Sequence, residues 1–189
     1  EGFILTGTTG SFGNGEFDIW LIKTDAQGNE VWSQTFGGQY QDRPHEVQQT
    51  NDGGYIIVGR TESFGSGNID GYLIKTDAQG NEVWSQTFGG IAEDYLHSVK
   101  QTNDGGYILL GATYSYGNGV LLGNGLPDVW LIKTDQNGTL SVNEELTTTP
   151  KQLLKILDLM GRETAFKPNT PLIYVYDDGS TEKVFRVAY

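Results

Sequence analysis

Leu21 to Gly38 reads LIKTDAQGNEVWSQTFGG, and the same eighteen residues return as Leu73 to Gly90. Aligning residues 1–52 with residues 53–104 without a gap gives 34 identities in 52 positions. A third copy opens at Gly105 with GGYILLG, takes a six-residue insertion around Val120 to Gly125, resumes as DVWLIKTD at Asp128 to Asp135 and ends near Leu140. A period of this length marks a solenoid, a propeller or an array, in which each unit needs its neighbours to cover its apolar face.

Within one unit, four short runs have strand character: Tyr55 to Val58, Gly71 to Thr76, Glu82 to Phe88 and His97 to Thr102. The last three alternate apolar and polar residues, as half-buried strands do, and the first is a continuous apolar run suited to a strand covered on both faces. Between them, Asp77-Ala78-Gln79-Gly80-Asn81 and Asn103-Asp104-Gly105-Gly106 supply residues that tolerate positive φ. No window holds a helical period. Four strands in about 50 residues match one blade of a β-propeller. The expected fold is therefore all-β, a partial propeller-like array of four-stranded units, with a β-solenoid as the alternative. The units are 1–52, 53–104 and 105–140. Since a closed propeller needs about four to eight blades, the chain reads as the C-terminal part of a longer protein or as one contributor to a shared ring. Trp32 and Trp84 hold one equivalent position and are expected to be buried in equivalent surroundings.

The acidity belongs to the repeats. Residues 1–140 carry 17 Asp or Glu against 6 Lys or Arg, whereas residues 141–189 carry 7 against 6. A surface of that sign disfavours nucleic acid and anionic lipid as partners. There is no cysteine and therefore no disulfide or thiolate metal site. No apolar run reaches the ~20 residues of a membrane helix.

Residues 141–152 are polar, lack aromatics and read as a linker. A different pattern follows in residues 153–189. In Leu153 to Glu163, Leu154, Ile156, Leu157 and Leu159 suit a short helix, but Asp158 and Met160-Gly161-Arg162 close the run quickly and it reads as a strand; Ile173 to Tyr176 and Val184 to Val187 read as two more, with a hairpin turn at Asp177-Asp178-Gly179-Ser180 between the latter pair. This last segment resembles the C-terminal sorting domain of type IX secretion cargo of the Bacteroidota. The likeness is carried by KILDLMGRE at Lys155 to Glu163, PLIYVYDDG at Pro171 to Gly179, and Glu182-Lys183. It implies passage through the periplasm of a Gram-negative bacterium to the surface or medium, with the type IX translocon or its outer-membrane shuttle components as partners. The residues implied in the signal are Asp158, Gly161, Arg162, Tyr174, Tyr176, Asp177, Asp178, Gly179, Glu182 and Lys183. The repeats in turn resemble the Gly- and Asp-rich propeller-like units of large cargo of this kind, a likeness of architecture and not of activity.

Among residues that could carry chemistry, Asp42-x-x-His45 recurs as Asp94-x-x-His97, and these are the chain's only histidines. Two histidines without further His or Cys fall short of a metal site. The expectation is a structural hydrogen bond tying a loop to a strand, with the two histidines on neighbouring units and not converging. Asp25, Asp77 and Asp135 open turns that lack the D-x-D-x-D-G spacing of a calcium loop, and an Asx turn accounts for them. No cofactor and no metal is therefore expected. Trp20, Tyr72 and Trp130 share one strand position and read as packing residues. Phe12, Phe64 and Tyr116, in the S-[FY]-G-x-G loops, are the candidate ligand loops, because Gly-rich loops at blade ends are exposed and aromatic rings suit sugars. No nucleophile elbow or selected carboxylate pair appears, and near-identical units suit repeated binding better than one catalytic site. The functional expectation is a non-catalytic adhesion or glycan- and matrix-binding scaffold that is exported. The alternative is accessory blades of a secreted enzyme with its catalytic domain upstream.

Overall fold

The structure is a computed structural model that describes residues 2–115, 127–140, 153–165, 167, 172–176 and 181–184. The chain divides into two compact units, Glu1–Ser141 and Val142–Tyr189. Every regular element among the described residues is a strand, so no helix there could cross a membrane.

Among the described residues, the compact unit that carries the repeats holds three antiparallel sheets. The strands are β1 (Ile4–Thr9), β2 (Asp18–Thr24), β3 (Glu30–Phe36), β4 (Asp42–Gln49), β5 (Tyr55–Thr61), β6 (Asp70–Thr76), β7 (Glu82–Phe88), β8 (Asp94–Gln101), β9 (Tyr107–Thr113) and β10 (Asp128–Thr134). They pair as β1-β2-β3, β4-β5-β6-β7 and β8-β9-β10. The sheets are therefore out of phase with the sequence repeat: the last strand of each copy, β4 or β8, is the first strand of the next sheet. That lacing ties successive copies together. Two parallel bridges, Phe17 with Gln41 and Ile69 with Glu93, fasten the approach to an inner strand, β2 or β6, to the start of the next sheet, β4 or β8. The observed strands begin earlier or run longer than the apolar runs alone define, as in Tyr55–Thr61 against Tyr55 to Val58 and Asp94–Gln101 against His97 to Thr102. The extra residues include Arg60, Thr61 and Asp94, which join by ladder pairing with Arg43, Asp42 and Thr113, a contribution that apolar periodicity does not register.

The middle sheet is covered on both faces, which explains the continuous apolar run in β5. Tyr55 and Ile57, with Tyr72 and Ile74 of β6, pack against Ile19, Leu21 and Phe36 of the first sheet. Ile56, Val58 and Leu73 face the other way, against Leu96, Val99, Tyr107 and Leu109 of the third sheet. Each such fully buried aliphatic side chain contributes about 1.5–3 kcal/mol. The end sheets expose what the middle one buries: Leu5 is 47% exposed where Ile57 is fully buried, and Leu131 is 67% exposed where Leu73 is fully buried.

Trp32 and Trp84 do have equivalent surroundings, edge-on to Tyr55 and Tyr107 at centroid distances of 5.8 and 6.0 Å. Both are half-buried and not buried as expected, because they sit on the outer strands β3 and β7 and lean over the β6–β7 turn or its β10 counterpart in the next copy. A methyl group on Gly80 would meet Trp32 at 2.6 Å, and one on Gly138 would meet Trp84 at 2.6 Å.

The C-terminal unit forms one antiparallel sheet, β11 (Leu153–Leu157), β12 (Leu172–Tyr176) and β13 (Thr181–Val184), in that order. Pairing of Val175 with Thr181 starts the third strand at Thr181, ahead of the expected Val184. The turn residues Asp177, Asp178, Gly179 and Ser180, and residues 185–187, lie outside the described residues.

Candidate functional site

At one end of the sheets, the S-F-G-x-G loops and the outer strands enclose two clefts that repeat each other. One, of about 470 Å³, is lined by Phe12, Trp20, Glu30, Ser33, Gln34 and Thr35. The other, of about 550 Å³, has Phe64, Tyr72, Glu82, Ser85, Gln86 and Thr87 in its wall. Every one of these six positions is displaced by the 52-residue period, from Phe12 with Phe64 to Thr35 with Thr87. In each cleft the loop phenylalanine tilts over the strand aromatic, Phe12 on Trp20 at 5.8 Å and Phe64 on Tyr72 at 5.6 Å. The phenylalanines stay accessible, at 62% and 44% exposure, while burial pushes the Tyr72 hydroxyl up to about 12, so it remains a neutral hydrogen-bonding group. The other four repeated positions are a carboxylate, an amide and two hydroxyls, with Ser33 Oγ donating to Glu30 Oε1 at 2.8 Å, and Asn14, Thr35, Phe36 and Gly37 complete the second cleft. A flat apolar face rimmed by such groups matches the chemistry of a pyranose, which has an apolar C–H face and a girdle of hydroxyls. Tyr116 lies outside the described residues.

The loops are held from below by buried aspartates. Asp18 Oδ2 accepts from the Asn14 and Gly15 amides at 2.9 and 3.3 Å, and Asp70 Oδ2 accepts from Ser66 and Gly67 at 2.9 and 3.0 Å. Asp42 Oδ2 accepts from the Gly38 amide and from Ser63 Oγ, and Asp94 Oδ2 accepts from Gly90 and Ser115 Oγ. The expected loop-to-strand bond of Asp42 and Asp94 therefore exists, but the histidines take no part in it. No family model matches the chain, and no curated protein matches it.

The histidines converge, contrary to expectation. β4 skips a partner between Pro44 and Glu46, and β8 between Leu96 and Ser98, so His45 and His97 are the extra residues of two β-bulges. A bulge re-aims its side chain, and here both rings swing into the gap between β4 and β8, 4.9 Å apart. His45 Nδ1 lies 2.6 Å from the Leu96 carbonyl oxygen and must carry the proton it donates there. Tyr95 stacks on His97 with planes 5° apart. Desolvation, and then the His45 charge, holds His97 below the usual histidine range.

The turn aspartates have another task. Asp77 Oδ1 accepts from the Gln79 and Asn81 amides at 2.9 and 2.8 Å, and Oδ2 accepts from Asn81 Nδ2 at 2.8 Å. Asp25 does the same with Gln27 and Asn29, and Asp135 bonds the Asn137 and Thr139 amides. Lys75, buried against the β4–β5 turn, pairs with Asp52 at 2.8 Å, and Lys133 pairs with Asp104 of the β8–β9 turn.

Within the C-terminal unit, Asp158 Oδ1 accepts from the Met160 and Arg162 amides, and Arg162 Nε donates to Oδ2 at 2.8 Å. Gly161 sits in this turn at φ 78°. Tyr174 is buried, Tyr176 half-buried, and Glu182 and Lys183 lie on β13.

Proposed function

We propose that this chain is a non-catalytic, multivalent binder of polyhydroxylated ligands, a glycan or glycan-rich matrix, carried to the cell surface or medium by its C-terminal unit. One observation carries the binding half of this reading: two clefts with the same aromatic, carboxylate, amide and hydroxyl positions recur one repeat apart. A catalytic centre gains nothing from being duplicated with its wall intact, but a binder does, because linked weak sites multiply into avidity. The exposed rings of Phe12 and Phe64 are the contact surface, and Glu30 and Glu82 select hydroxyl donors.

The test is titration with a polyvalent glycan beside its monovalent oligosaccharide. Phe12→Ala or Phe64→Ala is expected to weaken polyvalent binding by about tenfold or more through lost avidity. The double variant is expected to abolish binding with an unchanged far-ultraviolet spectrum. Full binding by the double variant would sink the cleft assignment.

The export half rests on the resemblance of residues 153–189 to the type IX sorting domain. Removing those residues should leave the repeats folded but retained in the periplasm, and fusing them to an unrelated exported protein should carry it to the surface. Normal surface levels of the truncated protein, or a fusion that stays in the periplasm, would overturn the sorting role.

A further inference from the structure

Beneath the clefts, the four loop-holding aspartates come in two pairs. A methyl group placed on Gly37 would lie 2.0 Å from Asp18 Oδ1 and 2.8 Å from Asp42 Oδ2, so those oxygens are no more than about 4.8 Å apart. On Gly89 the same methyl would lie 1.9 Å from Asp70 Oδ1 and 2.8 Å from Asp94 Oδ2. Asp18 and Asp70 are 1% exposed, and Asp42 and Asp94 are fully buried. The pairs form because Asp42 and Asp94 follow the parallel bridges, their amides donating to the Phe17 and Ile69 carbonyls at 2.7 and 2.8 Å. Each pair thus joins the first residue of one sheet's β2-type strand to the first residue of the next sheet.

Hydrogen bonding leaves this arrangement incomplete. In each carboxylate Oδ2 is occupied by loop amides or a serine hydroxyl, but Asp18 Oδ1, Asp42 Oδ1 and Asp94 Oδ1 are buried without any partner. Among the described residues no lysine or arginine forms an ion pair with any of the four. Buried carboxylates brought together this closely need a counter-charge or a shared proton, and orphaned buried oxygens are where an unseen ion or water belongs. The repeat itself points the same way. Around Asp18 and Asp70 the residues at 16, 17, 19 and 20 all change in the next copy, and around Asp42 and Asp94 those at 39 to 41, 43 and 44 all change, yet the four aspartates stay.

We infer that each aspartate pair, Asp18 with Asp42 and Asp70 with Asp94, is a binding site for a hard divalent cation of the Ca²⁺ class, set between successive sheets. The donors are all oxygen, which selects hard cations over softer metals. Two oxygens on one Ca²⁺ at about 2.3–2.6 Å span at most about 5 Å, and both pairs fall within that span. The cation would couple the fold to the clefts: Asp18 and Asp70 hold the loops that present Phe12 and Phe64, and Asp42 holds the second loop again through Ser63. This departs from the metal independence expected from the sequence, which weighed Asp42 and Asp94 only beside their histidines, weighed the turn aspartates, and did not consider Asp18 or Asp70. Asp128 takes the place of Asp70 in the third copy and is exposed, so the described residues contain two pairs.

The experiment is chelation of the whole chain followed by titration with Ca²⁺, read by melting temperature and by sensitised Tb³⁺ luminescence. The expected result is a saturable rise of about 5 °C or more, one ion taken up per pair. The double variants Asp18→Asn with Asp42→Asn, and Asp70→Asn with Asp94→Asn, keep the oxygens that accept from the loop amides and should each remove one ion. The four together should remove both. No Ca²⁺-dependent rise in the parent, or Tb³⁺ uptake undiminished in the variants, overturns the site; variants as stable as the parent and blind to Ca²⁺ in both forms would mean that the pairs share protons instead. Should the fourfold variant fail to fold, Asp42→Asn alone decides, by a tenfold or greater loss of affinity at one of the two sites or by none. The readout contains no glycan, so its failure leaves the cleft reading standing.

Discussion

The same turn is built in both compact units of this molecule with different surroundings. In the repeats, Asp77 to Asn81 closes on itself through the Asp77 carboxylate, and Gly80 at φ 83° lets the turn lie flat against Trp32. In the C-terminal unit, Asp158 to Arg162 closes through the same two amide bonds, with an arginine replacing the asparagine and Gly161 at φ 78°, and a methyl group on Gly161 would meet nothing within 4 Å. In both turns the side-chain hydrogen bonds hold the aspartate below the usual carboxylate range, with the Asn81 side chain dominant for Asp77 and the Arg162 amide for Asp158. Local chemistry makes the turn; its neighbours decide whether it also packs. Gly28, the same residue in the first copy, has no such contact either, so the repeat turn becomes a packing element only where a preceding copy leans on it.

That difference can be broken by one substitution made at two places. Gly80→Ala forces a side chain into the left-handed region, at about 1–2 kcal/mol, and also drives a methyl group into the Trp32 ring, at about 1–3 kcal/mol more. The expected loss is about 2–5 kcal/mol, measured by denaturant unfolding. Gly161→Ala carries only the backbone term and should lose about 1–2 kcal/mol from the C-terminal unit. Equal losses at the two sites would mean that Trp32 yields freely and that the tryptophan–glycine contact does not hold successive copies together.

Local chemistry was also what the sequence could reveal. The strands of the middle copy, the Asx turns and the two-sided burial of Tyr55 to Val58 follow from periodicity, turn residues and apolar runs. Three features did not, each because it depends on a partner distant in sequence. β4 and β8 could have paired within their own copy, and nothing in DRPHEVQQ or DYLHSVKQ distinguishes that from joining the next one. The bulges at His45 and His97 replace an alternation that reads as an ordinary strand. The convergence of Asp18 with Asp42 needed the parallel bridge, although the persistence of both residues amid changing neighbours was a usable signal. For the clefts, the exposed phenylalanine loops were legible, but Glu30, Ser33 and Gln34 were hidden inside the invariant eighteen residues, where identity cannot single out a position.

The smallest expected effect concerns the two histidines that the bulges bring together. Desolvation and the neighbouring His45 charge lower the folded pKa of His97 from its ordinary value of 6.5, so between pH 6.5 and that lower value the unfolded chain binds a proton that the folded chain does not. Stability is thus fully present above about pH 7 and falls as pH drops toward 5. Two positive rings 4.9 Å apart in a water-rich setting repel by about 1 kcal/mol, and His97 is exposed, so the loss is at most about 1 kcal/mol after screening. Carboxylates act in a separate window: Asp52, held at about 2 chiefly by its hydrogen bond from Lys75, withdraws its contribution only as pH falls below its ordinary 3.8. Melting temperature followed between pH 7.5 and 5, with the imidazole carbons titrated by NMR, isolates the histidine pair. Replacing His45 with Gln should move the His97 titration upward and flatten the pH slope. An unchanged His97 titration in that variant would show that the rings do not sense each other, and that the bulges serve the strand's path and not the meeting of the two side chains.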